Sequence, residues 1–292
     1  MAHLTVLHTV HERTWEHHRY GYPVLSRRSR GLSIGVNLNP DKLCNFDCVY
    51  CCVDRTPGER SPDPTDRRID LDVLRVELES LLREAAGGQI FDKPPFDQTP
   101  PELRRLSDVA FSGDGEPTAC LQFPQAARVV VDALRAVGAS HTPVVLITNA
   151  TLLTRPAVVD TLAYLDRHHL RVWAKLDAGT DAYYRTVDRS SVPFERVLEN
   201  LRLTGRIRPI WIQSLFVRLH GRPPPPAEID AYVARLIELR AGGCQIASVQ
   251  VCTVARRPAE PFVTPLTDAE LDRITQRIRL AGIAAEPFYG PD

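Results

Sequence analysis

Short apolar, β-branched runs alternate along this chain with longer segments whose apolar residues recur every three to four positions. Six short runs read as strands: Leu32–Leu38, Asp108–Ser112, Pro143–Thr148, Leu170–Leu176, Ile207–Val217 and Gln245–Val254. Helical period predicts helices near 70–85, 124–138, 155–167, 192–204, 226–241 and 267–281. Thr154, before Arg155 and Pro156, is the expected N-cap of the third helix. Thr267 with Glu270 three residues on predicts a capping box for the last. Strand followed by helix, six times over, predicts an α/β fold with a parallel sheet and right-handed crossovers. Eight such units close a barrel, so six predict an open or partial one. Chemistry in such folds sits at the C-terminal ends of the strands, so residues just past each strand are the candidates for function. Segments 53–69 and 91–105, rich in Pro and charge, are expected loops and candidate lids, and 221–226 (GRPPPP) a stiff connector. The expectation is one domain, with residues 1–30 an N-terminal extension and a core of about 31–282.

Composition narrows the classes. Of 292 residues, 43% are hydrophobic and 25% charged, as in a folded globular protein and unlike a disordered or collagenous chain. No run approaches the roughly 18 apolar residues of a membrane span. The N-terminal stretch lacks the features of a secretory signal, so a cytoplasmic protein with no membrane partner is expected. Basic and acidic residues balance at 36 each, which gives no sign of a nucleic-acid track. Arg27-Arg28-Ser29-Arg30 reads as solvated surface, as do the doublets His17-His18 and His168-His169. Arg218, His220, Arg256 and Arg257 follow the fifth and sixth strands and are either surface or a hold for an anionic group.

Cysteine changes the picture. Four of the seven lie within Cys44–Cys52, a poor disulfide framework and a good metal-binding one. Cys44, Cys48 and Cys51 have C-x3-C-x2-C spacing directly after the first strand. Three thiolates on one loop can hold three irons of a [4Fe-4S] cube and leave the fourth open, whereas an electron-transfer ferredoxin fills all four with Cys. Structural zinc is the alternative, but its cysteines usually come as separated pairs. Cys52, adjacent to Cys51, points elsewhere. Cys244 and Cys252 read as buried thiols, and Cys120 stays open as a redox or substrate-facing one.

After the second strand comes Ser112-Gly113-Asp114-Gly115-Glu116-Pro117-Thr118. The glycines allow close backbone approach to a ligand, and Glu116 supplies a carboxylate for an ammonium. A dinucleotide fingerprint fails here, because its third glycine would fall on Thr118.

The cysteine loop, with aromatic Tyr50 before the third Cys, resembles the signature of the radical S-adenosylmethionine (radical SAM) superfamily. The Gly113–Pro117 stretch is similar to that family's Gly-Gly-Glu-Pro element, with Asp114 departing from it. The set Ile147-Thr148-Asn149-Ala150, Lys175-Leu176-Asp177-Ala178-Gly179, Gln213-Ser214 and Val249–Pro258 resembles the branch of iron–sulfur oxidoreductases that includes 4-demethylwyosine synthase, over about residues 20–270. The resemblance implies a partial (β/α)6 barrel of the radical SAM type. It implies a [4Fe-4S] cluster on Cys44, Cys48 and Cys51, with S-adenosyl-L-methionine on the open iron. Tyr50 is expected near the adenine, and Glu116 with the Gly113–Gly115 backbone at the methionine ammonium. Ser112, Asp114, Asn149, Lys175, Asp177 and Gln213 are expected to complete the cofactor site. Lys175 is also the candidate catalytic residue, able to form a Schiff base or hold a carboxylate. A flavodoxin- or ferredoxin-like one-electron reductant is the expected partner.

The departures bear on substrate. No Cys precedes Cys44 to hold a second cluster, no flavodoxin-like domain is expected, and the neutral charge fits a tRNA body poorly. A small molecule or peptide is therefore the expected substrate, with wyosine-type tRNA modification as the alternative. A non-enzymatic iron–sulfur or zinc sensor or electron carrier is the further one.

Overall fold

A computed structural model describes residues 15–53 and 68–290. Most of the first expected lid, 53–69, lies outside these residues. Numbered in chain order among the described residues, the strands lie in the order β1-β2-β3-β4 in one part of the chain and β5-β6-β8-β10 in the other, with β7 and β9 a separate pair. The contacts divide the chain into two compact units, and each is described in turn.

The first unit holds β1 (Gly21–Ser26), β2 (Gly31–Val36), β3 (Leu106–Phe111) and β4 (Val144–Thr148). Its helices are α1 (Leu71–Gly87), α2 (Phe123–Ala136) and α3 (Pro156–Asp166). The pairs β2–β3 and β3–β4 are parallel, and β2 is buried along its whole length, as a strand covered on both faces must be. α1 starts on Asp70, whose carboxylate accepts from Asp72 N and Val73 N at 3.0 Å, and ends on left-handed Gly88. Its inner face buries Leu74, Leu78, Leu81 and Leu82.

Three expectations are corrected here. Residues 21–26 are no extension: they form β1, antiparallel to β2, and the basic run 27–30 is the turn between them. Glu77 of α1 fixes this strand, its carboxylate accepting from Arg19 N, Tyr20 N and Gly21 N at 2.7, 2.8 and 2.9 Å. Thr154 does not cap α3. Arg155 is the N-cap, with Pro156 at N1, and Thr154 Oγ1 instead bonds Asn200 at 2.9 Å. Segment 91–105 is no lid, since it winds into short 3-10 turns that bury Phe91 and Phe96.

The second unit holds β5 (Leu170–Lys175), β6 (Ile210–Leu215), β8 (Ile246–Cys252) and β10 (Ala285–Phe288), paired in parallel in that order. Its helices are α4 (Asp181–Val187), α5 (Phe194–Ile207), α6 (Pro226–Ala241) and α7 (Asp268–Leu280). β7 (Val217–Leu219) and β9 (Val263–Pro265) form the separate antiparallel pair. The run expected as one strand from Ile207 to Val217 is split, because α5 continues to Ile207 and β7 begins at Val217. α7 carries the expected capping box of Thr267 and Glu270. Six strands, β2 to β6 and β8, each lead to a helix, so the α/β class and the six-unit count are as expected; β1 is added beside β2 and β10 beside β8. Among the described residues no helix is long and apolar enough to cross a membrane.

Candidate active site

In the first unit, the residues past β2 and past β3 interlock. Asn37 donates from Nδ2 to Asp114 Oδ2 at 2.7 Å, and its Oδ1 accepts from Asp114 N and Asn39 N at 3.2 and 3.0 Å. A Cβ on Gly113 would strike the Asn37 side chain, and one on Gly115 would strike the Leu43 carbonyl oxygen and Asn39. Only glycine lets the 113–115 backbone lie this close to the residue before Cys44. Ser112 Oγ and Tyr22 OH lie 2.9 Å apart. Glu116 is buried, and its Oε1 accepts from Thr118 N and Oγ1 at 3.1 and 2.5 Å, so the carboxylate also caps the turn after it.

In the second unit, the rest of the cysteine loop hangs on the end of α4. Asp47 N donates to Asp188 O at 3.1 Å and Val49 N to Val187 O at 2.8 Å. Beyond it, Ala259 N donates to Cys51 O at 2.7 Å. Asn149, past β4, donates to Asn45 Oδ1 at 2.6 Å and accepts from Thr151 Oγ1 at 2.7 Å, so its amide braces the residue after Cys44. Cys52 points away, with Sγ 3.8 Å from Arg256 O, as its adjacency to Cys51 led one to expect.

A buried polar cluster lies inside this loop. Tyr50 OH donates to Asp177 Oδ2 at 2.5 Å and lies 3.1 Å from Asp188 Oδ1. Lys175 Nζ sits 3.1 Å from Asp177 Oδ2 and 4.6 Å from the Tyr50 ring centre. Asp177 Oδ1 accepts from Leu215 N at 2.7 Å, and Cys48 Sγ lies 3.5 Å from Asp188 Oδ1. Burial, then the neighbouring carboxylates, push Tyr50 well up; burial, then Asp188, do the same for Cys48. Asp188 is raised by burial and by the Asp177 charge. Burial works against the Lys175 ammonium, yet Asp177, Cys48 and Asp188 outweigh it and raise its pKa. Tyr50, expected beside a ligand, is thus also the strut between the loop and two carboxylates.

Sequence reasoning missed Asp188 and Glu228. Glu228 of α6 is buried and accepts from Gly179 N at 2.5 Å and Thr180 Oγ1 at 2.6 Å, holding the turn that runs from Asp177 into α4. No spacing signal announces either residue, since each acts through a partner about 50 or more positions away. Gln213, on β6, bonds Gln250 of β8. Arg218 is committed to Glu270, and His220 stacks on Phe262. Cys244 and Cys252 are buried, as expected of small apolar thiols.

Among the described residues no three His, Cys, Asp or Glu side chains converge on a point that would hold a metal ion. The fit to an iron–sulfur cluster therefore rests on the donors. Cys44, Cys48 and Cys51 form no disulfide and are half-buried thiols on one loop, and soft thiolates are what iron–sulfur clusters take.

The sequence matches no protein-family model. Among curated proteins it is 26% identical over 188 residues to the UPF0026 protein MJ1312 of Methanocaldococcus jannaschii, covering 61% of this chain and 47% of that one. It is 20% identical over 255 residues to the GTPase Obg of Brachyspira hyodysenteriae, covering 86% of this chain and 32% of that one. The chain thus spans about half and about a third of these relatives' lengths. Among solved structures, a radical SAM methyltransferase from Sphaerobacter thermophilus superposes with a TM-score of 0.61 at 13% identity, over 92% of this chain and 69% of that one. This chain has the radical SAM fold. TYW1 with a lysine-pyruvate adduct bound superposes with a TM-score of 0.50 at 13% identity, over 86% of this chain and 74% of that one. The radical SAM fold accounts for the parallel six-unit core and for functional candidates lying just past strand ends.

Proposed function

We propose that this protein is a radical SAM enzyme. The observation that carries the reading is the C-x3-C-x2-C loop after the first parallel strand of a radical SAM fold, braced from α4, Asn149 and Ala259. Cys44, Cys48 and Cys51 would hold a [4Fe-4S] cluster. With S-adenosylmethionine bound, that cluster would supply one-electron reductive cleavage of the sulfonium and, from it, hydrogen abstraction from a substrate.

The chain's own residues bind and orient. The Gly113–Gly115 backbone, with Asp114 pinned by Asn37 and Ser112 by Tyr22, and the Glu116 carboxylate receive the methionine ammonium. Lys175 and Asp177 keep a charged pair, 16% and 1% exposed, at the end of β5, where Lys175 can take the anionic end of a ligand. Tyr50 ties that pair to the loop. A flavodoxin- or ferredoxin-like reductant is the proposed partner. The neutral charge favours a small molecule or peptide as substrate over tRNA.

The test is anaerobic reconstitution with iron and sulfide, then reduction in the presence of S-adenosylmethionine. The expected result is four irons per chain, the count of the proposed cluster, and formation of 5′-deoxyadenosine. Cys48→Ala should lose both, while Cys52→Ala keeps both. Zinc loading in place of iron, or intact cleavage in Cys48→Ala, would overturn the reading.

A further inference from the structure

Within the second unit, the backbone bonds that reach the cysteine loop from elsewhere differ in exposure. Those from α4 end on Val187 and Asp188, which are buried. The one to Cys51 O comes from Ala259 N at 2.7 Å, and Ala259 is exposed. Ala259 belongs to the stretch 253–262 that joins β8 to β9, past the strand's C-terminal end, where parallel sheets present functional groups. The same stretch passes beside the next cysteine, with Arg256 O lying 3.8 Å from Cys52 Sγ.

Side chains fasten this stretch in place. Arg189 Nη1 donates to Glu260 Oε1 at 2.5 Å and lies 3.8 Å from Asp47 Oδ2 on the cysteine loop. Arg189 itself has left-handed backbone, φ 47°, a region that residues other than glycine seldom occupy. At the far end His220 N donates to Phe262 O at 2.9 Å, and the two rings stack 4.5 Å apart. Arg189, Arg256 and Arg257 meet two acids here, Asp47 and Glu260, so the surface is positive in a chain whose charges balance. Arg257 is exposed.

We propose that the stretch 256–261, with Arg257 at its exposed edge, is the docking surface for a one-electron carrier whose redox group is ringed by acidic residues. The electron enters through Ala259 and Cys51. The carrier loses one electron and the cluster gains it; no bond forms or breaks, and no proton is needed. Charges on such a rim act on the association rate and its salt dependence. Calling the partner a reductant rests on the radical SAM reading, whereas the positive surface against Cys51 does not.

The test is stopped-flow reduction of the reconstituted full chain by a reduced flavodoxin with an acidic rim, against the methyl viologen radical cation. Reduction by flavodoxin should slow as salt rises. Arg257→Glu should slow it about tenfold or more and flatten that salt dependence, while methyl viologen, a small cation, is not slowed. Arg257→Lys keeps the charge and should stay within about twofold of the parent. Calorimetric binding of oxidised flavodoxin to the same samples should weaken in step with the rates. Equal slowing with both reductants, an unchanged flavodoxin rate in Arg257→Glu, or a parent rate that ignores salt overturns the proposal. So does an Arg257→Glu variant that loses binding to an RNA oligonucleotide but keeps flavodoxin, since the surface then serves nucleic acid. Failure to form a cluster overturns the radical SAM reading and this proposal together. Viologen-driven 5′-deoxyadenosine with an unchanged flavodoxin rate in Arg257→Glu overturns the docking surface alone.

Discussion

Replacing Glu77 with alanine tests how β1 is attached. The carboxylate is 6% exposed and accepts from three consecutive backbone N–H groups, those of Arg19, Tyr20 and Gly21. Arg19 is exposed, so its N–H returns to water at little cost once the carboxylate is gone. Tyr20 and Gly21 are buried, and each loses a bond to a charged acceptor worth about 1.5–3 kcal/mol. The expected destabilisation is therefore about 3–6 kcal/mol for the pair. At roughly 2–4 °C per kcal/mol for a domain of this order of size, Tm should fall by roughly 6–24 °C. Glu77→Gln keeps one acceptor oxygen and should lose about half as much. The assay is urea unfolding followed by circular dichroism, with hydrogen exchange at Tyr20 and Gly21. Exchange there should quicken before the rest of the sheet, and Asn37 should follow, because its N–H donates to Tyr20 O at 2.9 Å. A loss below about 1 kcal/mol, or unchanged exchange at both amides, would refute the reasoning.

Gly115→Ala places a Cβ 2.8 Å from Asn39 Cβ and Cγ and closer still to the Leu43 carbonyl oxygen, so the backbone before Cys44 must move. Iron loading should drop while far-UV circular dichroism is kept, and full loading would contradict the packing argument. Asp177→Asn keeps the bond from Leu215 N but turns an N–H2 toward Lys175 and Tyr50, breaking a buried pair at a cost of about 3–5 kcal/mol. Adding Lys175→Met should recover part of that loss in urea melts, whereas simple additivity would deny the pairing. Burial opposes the charge of Glu270, but bonds from Thr267 and Arg218 outweigh it and hold its pKa below the usual value. Its stabilisation is thus present above the unfolded pKa of about 4.3 and lost as pH falls below it. Glu270→Gln should flatten the stability–pH curve in that acid window alone, and a curve that stays parallel to the parent's would contradict this.

The six strands and six helices of the core were legible because burial on both faces of a parallel sheet demands β-branched apolar runs, and helices beside it demand the 3.6 period. β1 was hidden by the charged turn 27–30, and its pairing depends on Glu77, 56 positions from Gly21. Thr154 carried the local signal of a cap, but Asn200 competes for its hydroxyl and Arg155 takes the cap position. α4 is only seven residues long, too short for a periodic signal, yet its end supplies Asp188.

What the sequence by itself determined is the material of the protein: the order of strands and helices, the three thiols at C-x3-C-x2-C spacing, and the glycines and Glu116 past the second strand. Local spacing and hydrophobic period are written within a few residues of one another, so they need no fold to be read. Tertiary structure alone decided that Tyr50 meets Asp177 and Asp188, that Glu228 holds the turn after Lys175, and that Gln213 and Gln250 face each other. Those contacts join residues 37 to 138 positions apart, through strand register and helix packing that no local pattern encodes.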